Sequence, residues 1–381
     1  MNYNEILSEH KIVRVVTRRA RTRYPRLYGK NSRLPEHRYG REFKILEIYT
    51  DKGAYAWSEG WCKEDQKDLL LNKKVSEVFD VYKGSLTPVK HMHAFDSALH
   101  SLAGVILGIP VVDILCLGRD IKPAEKIDCY DGAIYMNDIS PDSRPGGIEA
   151  IIRDCQYDWD VCGFRSFKVK VGRGGMWMEH DEGLRRDIEV MHAIKKNFPT
   201  ARLLVDANDA FSLEDCEKFM EACKDLNIYW LEEPFLESVE GFSRLREILA
   251  KHSPSTLIAD GEFRPDIDLI HELCQKKLID VVLMDTVEFG LTHWRAIMPR
   301  LKEYGVFGSP HNWPLKVKTH MSAHLAAAFP DLIPTIEGVP DETEGVEFDN
   351  YIIKDGFINL PRDPGFGMNL IWAELIEEFK I

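Results

Sequence analysis

From Ile127 onward the chain repeats one pattern: a short apolar run, a turn, then a longer stretch with apolar residues every three to four positions. The apolar runs are Ile127–Tyr135, Phe164–Val171, Arg202–Asp206, Ile228–Glu232, Thr256–Gly261, Val281–Asp285, Gly305–Ser309 and Ile333–Glu337. Between them lie amphipathic stretches such as Asp181–Lys196, Leu213–Leu226 and Ile267–Lys277. Short strands alternating with helices imply βα units on a parallel sheet. Eight strands over about 210 residues predict a closed (β/α)8 barrel, a fold that typically takes about 250 residues. A doubly wound nucleotide-binding sheet is disfavoured, because no Gly-x-Gly-x-x-Gly follows the first run and Gly172-Arg173-Gly174-Gly175 lacks that spacing.

Before residue 127 the pattern is different. Ile12–Thr17, Phe43–Thr50 and Ala54–Glu59 read as antiparallel strands, and Asp51-Lys52-Gly53 between the last two is a hairpin signal. Phe95–Leu107 reads as a helix with one apolar face, stopped by Gly108. At the other end, Asn350–Ile381 reads as a strand pair and a helix that return to the first domain. The expected division is an N-terminal α+β domain over 1–125, the barrel over 126–340 and a returning segment over 341–381.

Composition narrows the function classes. Hydrophobic residues make up 44% and charged residues 29% of the chain, ordinary globular values. A formal net charge of −13 opposes nucleic-acid binding. No apolar run reaches the 18 or so residues a membrane helix needs, and Met1–Arg14 lacks a secretory pattern. Eight cysteines occur without a Cys-x-x-Cys pair, which suits reduced thiols and a cytoplasmic location.

The chemistry sits at the strand ends, where barrel enzymes place it. The second strand carries Lys168 and Lys170, the third ends at Asp206, and the fourth at Glu232 and Glu233. The fifth is followed by Glu262, the sixth ends at Asp285, the seventh leads to His311, and the eighth ends at Glu337. Any one of these is unremarkable alone, and Lys168 with Asp206 would make an ordinary ion pair. Seven consecutive strand ends bearing such groups outweigh that bland reading. Asp206, Glu232 and Glu262 come from adjacent strands, so three hard oxygen ligands converge, a set that suits Mg²⁺. Lys168 and Lys170 share a strand face, and their like charges are expected to lower each other's pKa and make one a base. His311 is expected beside Asp285, whose carboxylate would fix one imidazole nitrogen. Glu337 would either donate a hydrogen bond when protonated or pair with a lysine.

With these residues the sequence resembles the enolase superfamily, in particular its mandelate racemase-like subgroup. The matching pieces are Phe167-Lys168-Val169-Lys170, Asp206-Ala207-Asn208, Glu232-Glu233-Pro234, Gly261-Glu262, Asp285, Ser309-Pro310-His311, Glu337 and Pro364-Gly365-Phe366-Gly367. The resemblance implies a modified TIM (β/α)8 barrel under a capping α+β domain that the C-terminal tail completes. It implies Mg²⁺ on Asp206, Glu232 and Glu262, with Lys170 and a His311–Asp285 dyad as the two acid/base groups. Lys168 would bind the substrate carboxylate, Asn208 would contact substrate or the metal surroundings, and Glu337 would bond to the enolate oxygen. A homo-oligomer is also implied.

The resulting expectation is Mg²⁺-dependent removal of the proton alpha to a carboxylate, leading to dehydration of an aldonate or aldarate to a 2-keto-3-deoxy acid. The partner is thus a small carboxylate, with no nucleic acid and no membrane. Between Lys11 and Arg41 stand eleven Lys/Arg residues and one acid, Glu36, interleaved with Tyr24, Tyr28 and Tyr39. As a cap loop this stretch would meet a distal carboxylate; as a solvated or subunit-contacting face it would not. Two other functions stay open, a racemase or epimerase of a 2-hydroxy acid and a non-catalytic binding protein on the same barrel. Intact Lys170, His311 and metal ligands oppose the last.

Overall fold

The computed structural model describes residues 2–35, 38–86, 92–348, 350–372 and 375. Strands β1 (Ile12–Tyr28), β2 (Arg38–Thr50) and β3 (Tyr55–Glu59) form an antiparallel sheet, and Glu342–Thr343 adds to the outer edge of β1. The turn between β2 and β3 needs glycine: Gly53 adopts φ +82, in the left-handed region, and its N–H reaches Thr50 O. Helix α1 (Asp96–Leu107) packs on β3 and ends at Gly108, which is also left-handed.

β1 is far longer than the expected Ile12–Thr17, and it corrects the picture of a basic loop. From Ala20 to Tyr24, buried Ala20, Thr22 and Tyr24 alternate with exposed Arg21 and Arg23, so one face there is buried and the other charged. Acids on and beside the neighbouring strands answer that charge: Arg18 bonds Glu47 at 2.5 Å, Arg19 and Arg21 both reach Glu42, and Arg23 reaches Glu344 in the turn after Thr343. After Tyr28 the described residues 29–35 form a loop, and Glu36 lies outside the described residues.

The second sheet is parallel. Its strands are β4 (Lys126–Ile134), β5 (Ser166–Lys170), β6 (Arg202–Asp206), β7 (Ile228–Glu232), β8 (Leu257–Asp260), β9 (Val281–Val282), β10 (Phe307–Gly308) and β11 (Ile336–Gly338). They pair in sequence order from β4 to β10, and β11 pairs with β4 on its other side. Gly308 N, on β10, donates to Leu332 O just before β11 at 2.8 Å. Helices α2 (Ile148–Asp160), α3 (His180–Asn197), α4 (Leu213–Ala222), α5 (Val239–His252), α6 (Ile267–Gln275), α7 (Leu291–Tyr304) and α8 (Lys316–Ala328) connect the strands. The expected strands and helices recur within a few residues, but β9 and β10 shrink to two residues each. The rest of the expected Val281–Asp285 strand is an isolated bridge between Asp285 and His311.

The short strands put their two faces to different uses. Phe167, Val169, Leu203 and Val205 pack toward the helices in one large apolar core. Tyr130, Leu204, Trp230, Ala259, Val281 and Leu283 form a second, smaller core on the opposite face. Lys168 pairs in register with Leu204, and Lys170 with Asp206. By the period of two, Lys168 shares the inner face at the level of Leu204, and Lys170 and Asp206 stand one step beyond it. The C-terminal strands Ile353–Lys354 and Phe357–Asn359 form the expected pair, which joins β4 rather than the first sheet. The expected helix after them falls largely outside the described residues. No helix among the described residues is long and apolar enough to cross a membrane, and all eight cysteines are free thiols.

Candidate active site

Three carboxylates meet where β6, β7 and β8 end. Asp206, Glu232 and Glu262 each offer an oxygen, and these oxygens all lie within 4.8 Å of one another. Asp206 and Glu232 are fully buried strand residues, whereas Glu262 follows Gly261, whose φ of +107 turns the chain after β8. The crowding is costly: burial, together with Asp206 and Glu262, pushes the Glu232 carboxyl well above its usual range, against the pull of Lys168. Glu262 Oε2 and His311 Nδ1 lie 3.1 Å apart, yet neither makes a well-aligned hydrogen bond. An all-oxygen, mutually repelling set with an unsatisfied oxygen fits a hard divalent cation.

Two lysines enter this cluster from β5. Lys168 Nζ is 2.6 Å from Glu232 and 2.9 Å from Glu337, and Lys170 Nζ bonds Asp206. Their mutual repulsion does not win. Burial favours the neutral amines, but Glu232 and Glu337 hold Lys168 well above the usual lysine value, and Asp206 raises Lys170. The expected lowering is thus overridden by the carboxylates that the same fold gathers around them.

Of its two sequence alternatives, Glu337 makes the lysine pair in this arrangement, with Lys168 Nζ at 2.9 Å. Burial pushes its carboxyl up, but Lys168, His311 and the Asn312 N–H bring it down to about 2. Its Oε2 accepts the backbone N–H of Asn312 at 2.7 Å and of Trp313 at 2.9 Å.

His311 also departs from the expected dyad. Its Nδ1 faces Glu262 at 3.1 Å and Glu337 at 3.2 Å. Burial lowers its pKa, but these two carboxylates raise it on balance. Asp285 is its neighbour through the backbone bridge, while the Asp285 side chain serves other donors. One oxygen accepts Val287 N and Glu288 N, and the other accepts Lys318 Nζ at 2.5 Å. The charged partner of that oxygen is the buried Lys318 ammonium.

Asn208 is buried at φ +44; its amide donates to Glu233 at 3.3 Å, and its Oδ1 has no hydrogen-bond partner. Glu233 in turn accepts Phe263 N at 2.9 Å and lies 3.0 Å from Arg33. Arg33 belongs to the loop after β1 and also bonds Asp209. Ser32 Oγ, beside it, donates to Ala207 O at 2.6 Å, so this loop is docked directly on the Asp206–Asp209 turn. Tyr24, Tyr28, Tyr135 and Trp313 form an aromatic cluster alongside, with Lys170 Nζ 5.8 Å from the Tyr135 ring. Under the cluster of acids, Trp230 Nε1 donates to Glu232 Oε2 at 2.9 Å.

Arg33 and Lys318 were not singled out in the sequence. Arg33 was one of eleven cations in a run, and Lys318 sits in a helix without any flanking signal.

A model of the enolase C-terminal domain-like family matches residues 150–374, more than half of the chain. The chain belongs to that family. Among solved structures, a galacturonate dehydratase from a Geobacillus species, complexed with D-galacturonate and 5-keto-4-deoxy-D-galacturonate, is 27% identical with a TM-score of 0.86 and 96% coverage of both chains. A mandelate racemase/muconate lactonizing protein from Geobacillus sp. Y412MC10, complexed with magnesium and tartrate, is 27% identical with a TM-score of 0.87, covering 97% of this chain and 95% of that one. A putative L-rhamnonate dehydratase of Caldivirga maquilingensis is 23% identical over 293 residues, which are 75% of this chain and 66% of the relative. A D-galactonate dehydratase family member of Oceanicola granulosus is 28% identical over 227 residues, 57% of this chain and 52% of the relative. The chain thus spans between about half and two thirds of these curated relatives.

Proposed function

We propose that this chain removes the proton alpha to a substrate carboxylate and dehydrates acid sugars, aldonates or aldarates, to 2-keto-3-deoxy acids in a Mg²⁺-dependent reaction. The observation that carries this reading is the convergence of Asp206, Glu232 and Glu262 with Lys168, Lys170 and His311 on one buried site. In this reading the parallel sheet is the modified (β/α)8 barrel. Residues 1–125 are its cap, 126–340 the barrel, and 341–381 the returning segment. The dehydratase names of the relatives and the magnesium of the Geobacillus neighbour support it.

Asp206, Glu232 and Glu262 would hold Mg²⁺, whose charge offsets the second negative charge that develops on the substrate carboxylate. Lys168 places a further cation beside the same oxygens. With the carboxylates' charge balanced, burial and Lys168 are the remaining influences on Lys170, and both lower its pKa toward that of a base. Neutral Lys170 takes the alpha proton, and the C–H electron pair becomes the new C=C bond. Protonated His311 gives its proton to the departing β-hydroxyl, so water leaves and the enol tautomerises to the 2-keto acid. Without a β-hydroxyl the proton returns from the opposite side and configuration inverts. That second reading has its own support: an L-Ala-D/L-Glu epimerase of Thermotoga maritima is 29% identical over 147 residues.

The test is a panel of mono- and diacid sugars with purified protein and Mg²⁺, read as 2-keto acid formation. Lys170→Ala and His311→Asn run beside the wild type. A product absent from both variants supports dehydration. A silent panel with alpha-proton exchange in D₂O on 2-hydroxy acids turns the assignment to epimerisation, and silence in both sinks the reading.

A further inference from the structure

Lys318 is a charged residue in an apolar helix. It lies in the first turn of α8, is 6% exposed, and is flanked there by buried Val317, Thr319 and His320. A buried ammonium persists only where partners compensate its lost hydration. Two of its bonds go to separate loops at the mouth of the sheet. Nζ lies 2.5 Å from Asp285 Oδ2, in the segment after β9, and donates to Trp313 O at 3.3 Å, in the segment after β10. A second carboxylate, Glu59 at the end of β3, faces the same ammonium from the first sheet. Burial pushes the Glu59 carboxyl up to about 7 while Lys318 pulls it down, and its Oε2 has no hydrogen-bond partner.

The two segments that Lys318 joins are those that hold His311. Thr286 N donates to His311 O at 3.1 Å, and His311 N donates to Met284 O at 3.2 Å, which is the bridge beside Asp285. On the far side, Glu337 accepts the N–H groups of Asn312 and Trp313. His311 therefore sits on a short ribbon pinned by an anion at one edge and a cation at the other. The ring's own contacts to Glu262 and Glu337, at 3.1 and 3.2 Å, include no well-aligned hydrogen bond at Nδ1.

We propose that Lys318 is a positioning residue: by holding Asp285 Oδ2 and Trp313 O together, it sets the place and angle at which the His311 imidazole meets the substrate. This rests on the proton-transfer role of His311 in the reaction proposed above. The argument is one of leverage. A displacement of about 1 Å at an acid/base group, caused by a change away from the reacting atoms, costs on the order of 100-fold in rate.

The experiment compares wild type, Lys318→Met, Lys318→Arg, Asp285→Asn and the double variant Asp285→Asn/Lys318→Met. Lys318→Met is expected to lower kcat about 100-fold with KM within threefold and with unchanged Mg²⁺ affinity by calorimetry. Lys318→Arg, which keeps the charge, should recover most of that loss. The double variant removes the stranded carboxylate as well as the ammonium, so its stability should return toward wild type while kcat stays low. A merely structural lysine would show kcat recovering with stability, and that result overturns the proposal. So does a kcat of Lys318→Met within threefold of wild type.

A readout without substrate separates this inference from the reaction assignment. In metal-free protein at one fixed pH, the ¹⁵N shifts of the His311 ring, assigned by their loss in His311→Asn, should move in Lys318→Met and return in Lys318→Arg. Unmoved shifts overturn the positioning role even where the wild type is active. If no substrate turns over, the reaction assignment fails, and these shifts decide the role of Lys318 alone.

Discussion

Lys168 and Glu337, on strands that are two apart in the sheet, meet at 2.9 Å in full burial. Each supports a different neighbour: Lys168 reaches Glu232, and Glu337 holds the backbone N–H groups that follow His311. Removing one charge strands the other, and a buried partner left unpaired costs about 3–5 kcal/mol. Glu337→Gln keeps the shape and an acceptor oxygen but loses the charge. It should lower the unfolding free energy by an amount in that range and reduce kcat, whereas Lys168→Met/Glu337→Gln together should be less destabilised than their sum. Urea unfolding of the four proteins closes the cycle, and simple additivity would show that the contact carries no coupling.

A divalent cation at the three acids should stabilise the fold by mass action. At a hundred times its dissociation constant a ligand adds about 2.7 kcal/mol. Mg²⁺ should therefore raise the melting temperature of the wild type and have no such effect on Glu262→Gln. An equal rise in both proteins would place the ion elsewhere.

Arg33 ties the loop after β1 to Asp209 and Glu233. Arg33→Met should leave those carboxylates uncompensated and release the loop from the Asp206–Asp209 turn. The expected result is a KM raised about tenfold, equivalent to roughly 1.4 kcal/mol, with a smaller change in kcat. Steady-state kinetics on whichever acid sugar proves active gives the split, and a loss confined to kcat would contradict a docking role.

His324 makes stability depend on acidity. It is fully buried, accepts Val112 N on Nδ1 at 3.1 Å, and meets Tyr351 Oη through Nε2 at 2.7 Å. Burial brings its pKa down from 6.5 to about 3. The folded protein thus binds fewer protons here than the unfolded chain, so this stability is full above pH 6.5 and drains away as pH falls toward 3. The whole effect is on the order of 5 kcal/mol from a shift of that size. Urea unfolding from pH 7 to pH 4 should show a downward slope in wild type that His324→Gln makes shallower, with buried His320 keeping its own share; equal slopes would assign the acid sensitivity to other groups.

Much of the scaffold was legible because its signals are local. Arg202–Asp206 and Ile228–Glu232 are apolar runs ended by an acid, and the observed strands begin and end at those residues. The three acids could be gathered from sequence because adjacent parallel strands bring their ends together. What was hidden depends on partners distant in sequence. The arginines after Thr17 looked like a loop until Glu42, Glu47 and Glu344 supplied their cross-strand charges. Adjacent strands suggest Asp285 as the partner of His311, but the Asp285 side chain meets Lys318 from the following helix while His311 Nδ1 faces Glu262 and Glu337. The lysine pair was expected to have lowered pKa values because only its own repulsion was weighed, and four carboxylates around Lys168 reverse the balance.

The indole of Trp230, buried beneath the acids with its N–H on Glu232, gives the site an optical voice. Its excited-state dipole lies against a carboxylate whose electron density must change whenever a cation or a substrate anion arrives. Emission from this one ring therefore tracks events at the site without any added label. The difference between wild-type and Trp230→Phe spectra isolates it from the other seven tryptophans of the chain's eight. The residue that fills the floor of the sheet is also, by its single hydrogen bond, a built-in fluorophore for the chemistry above it.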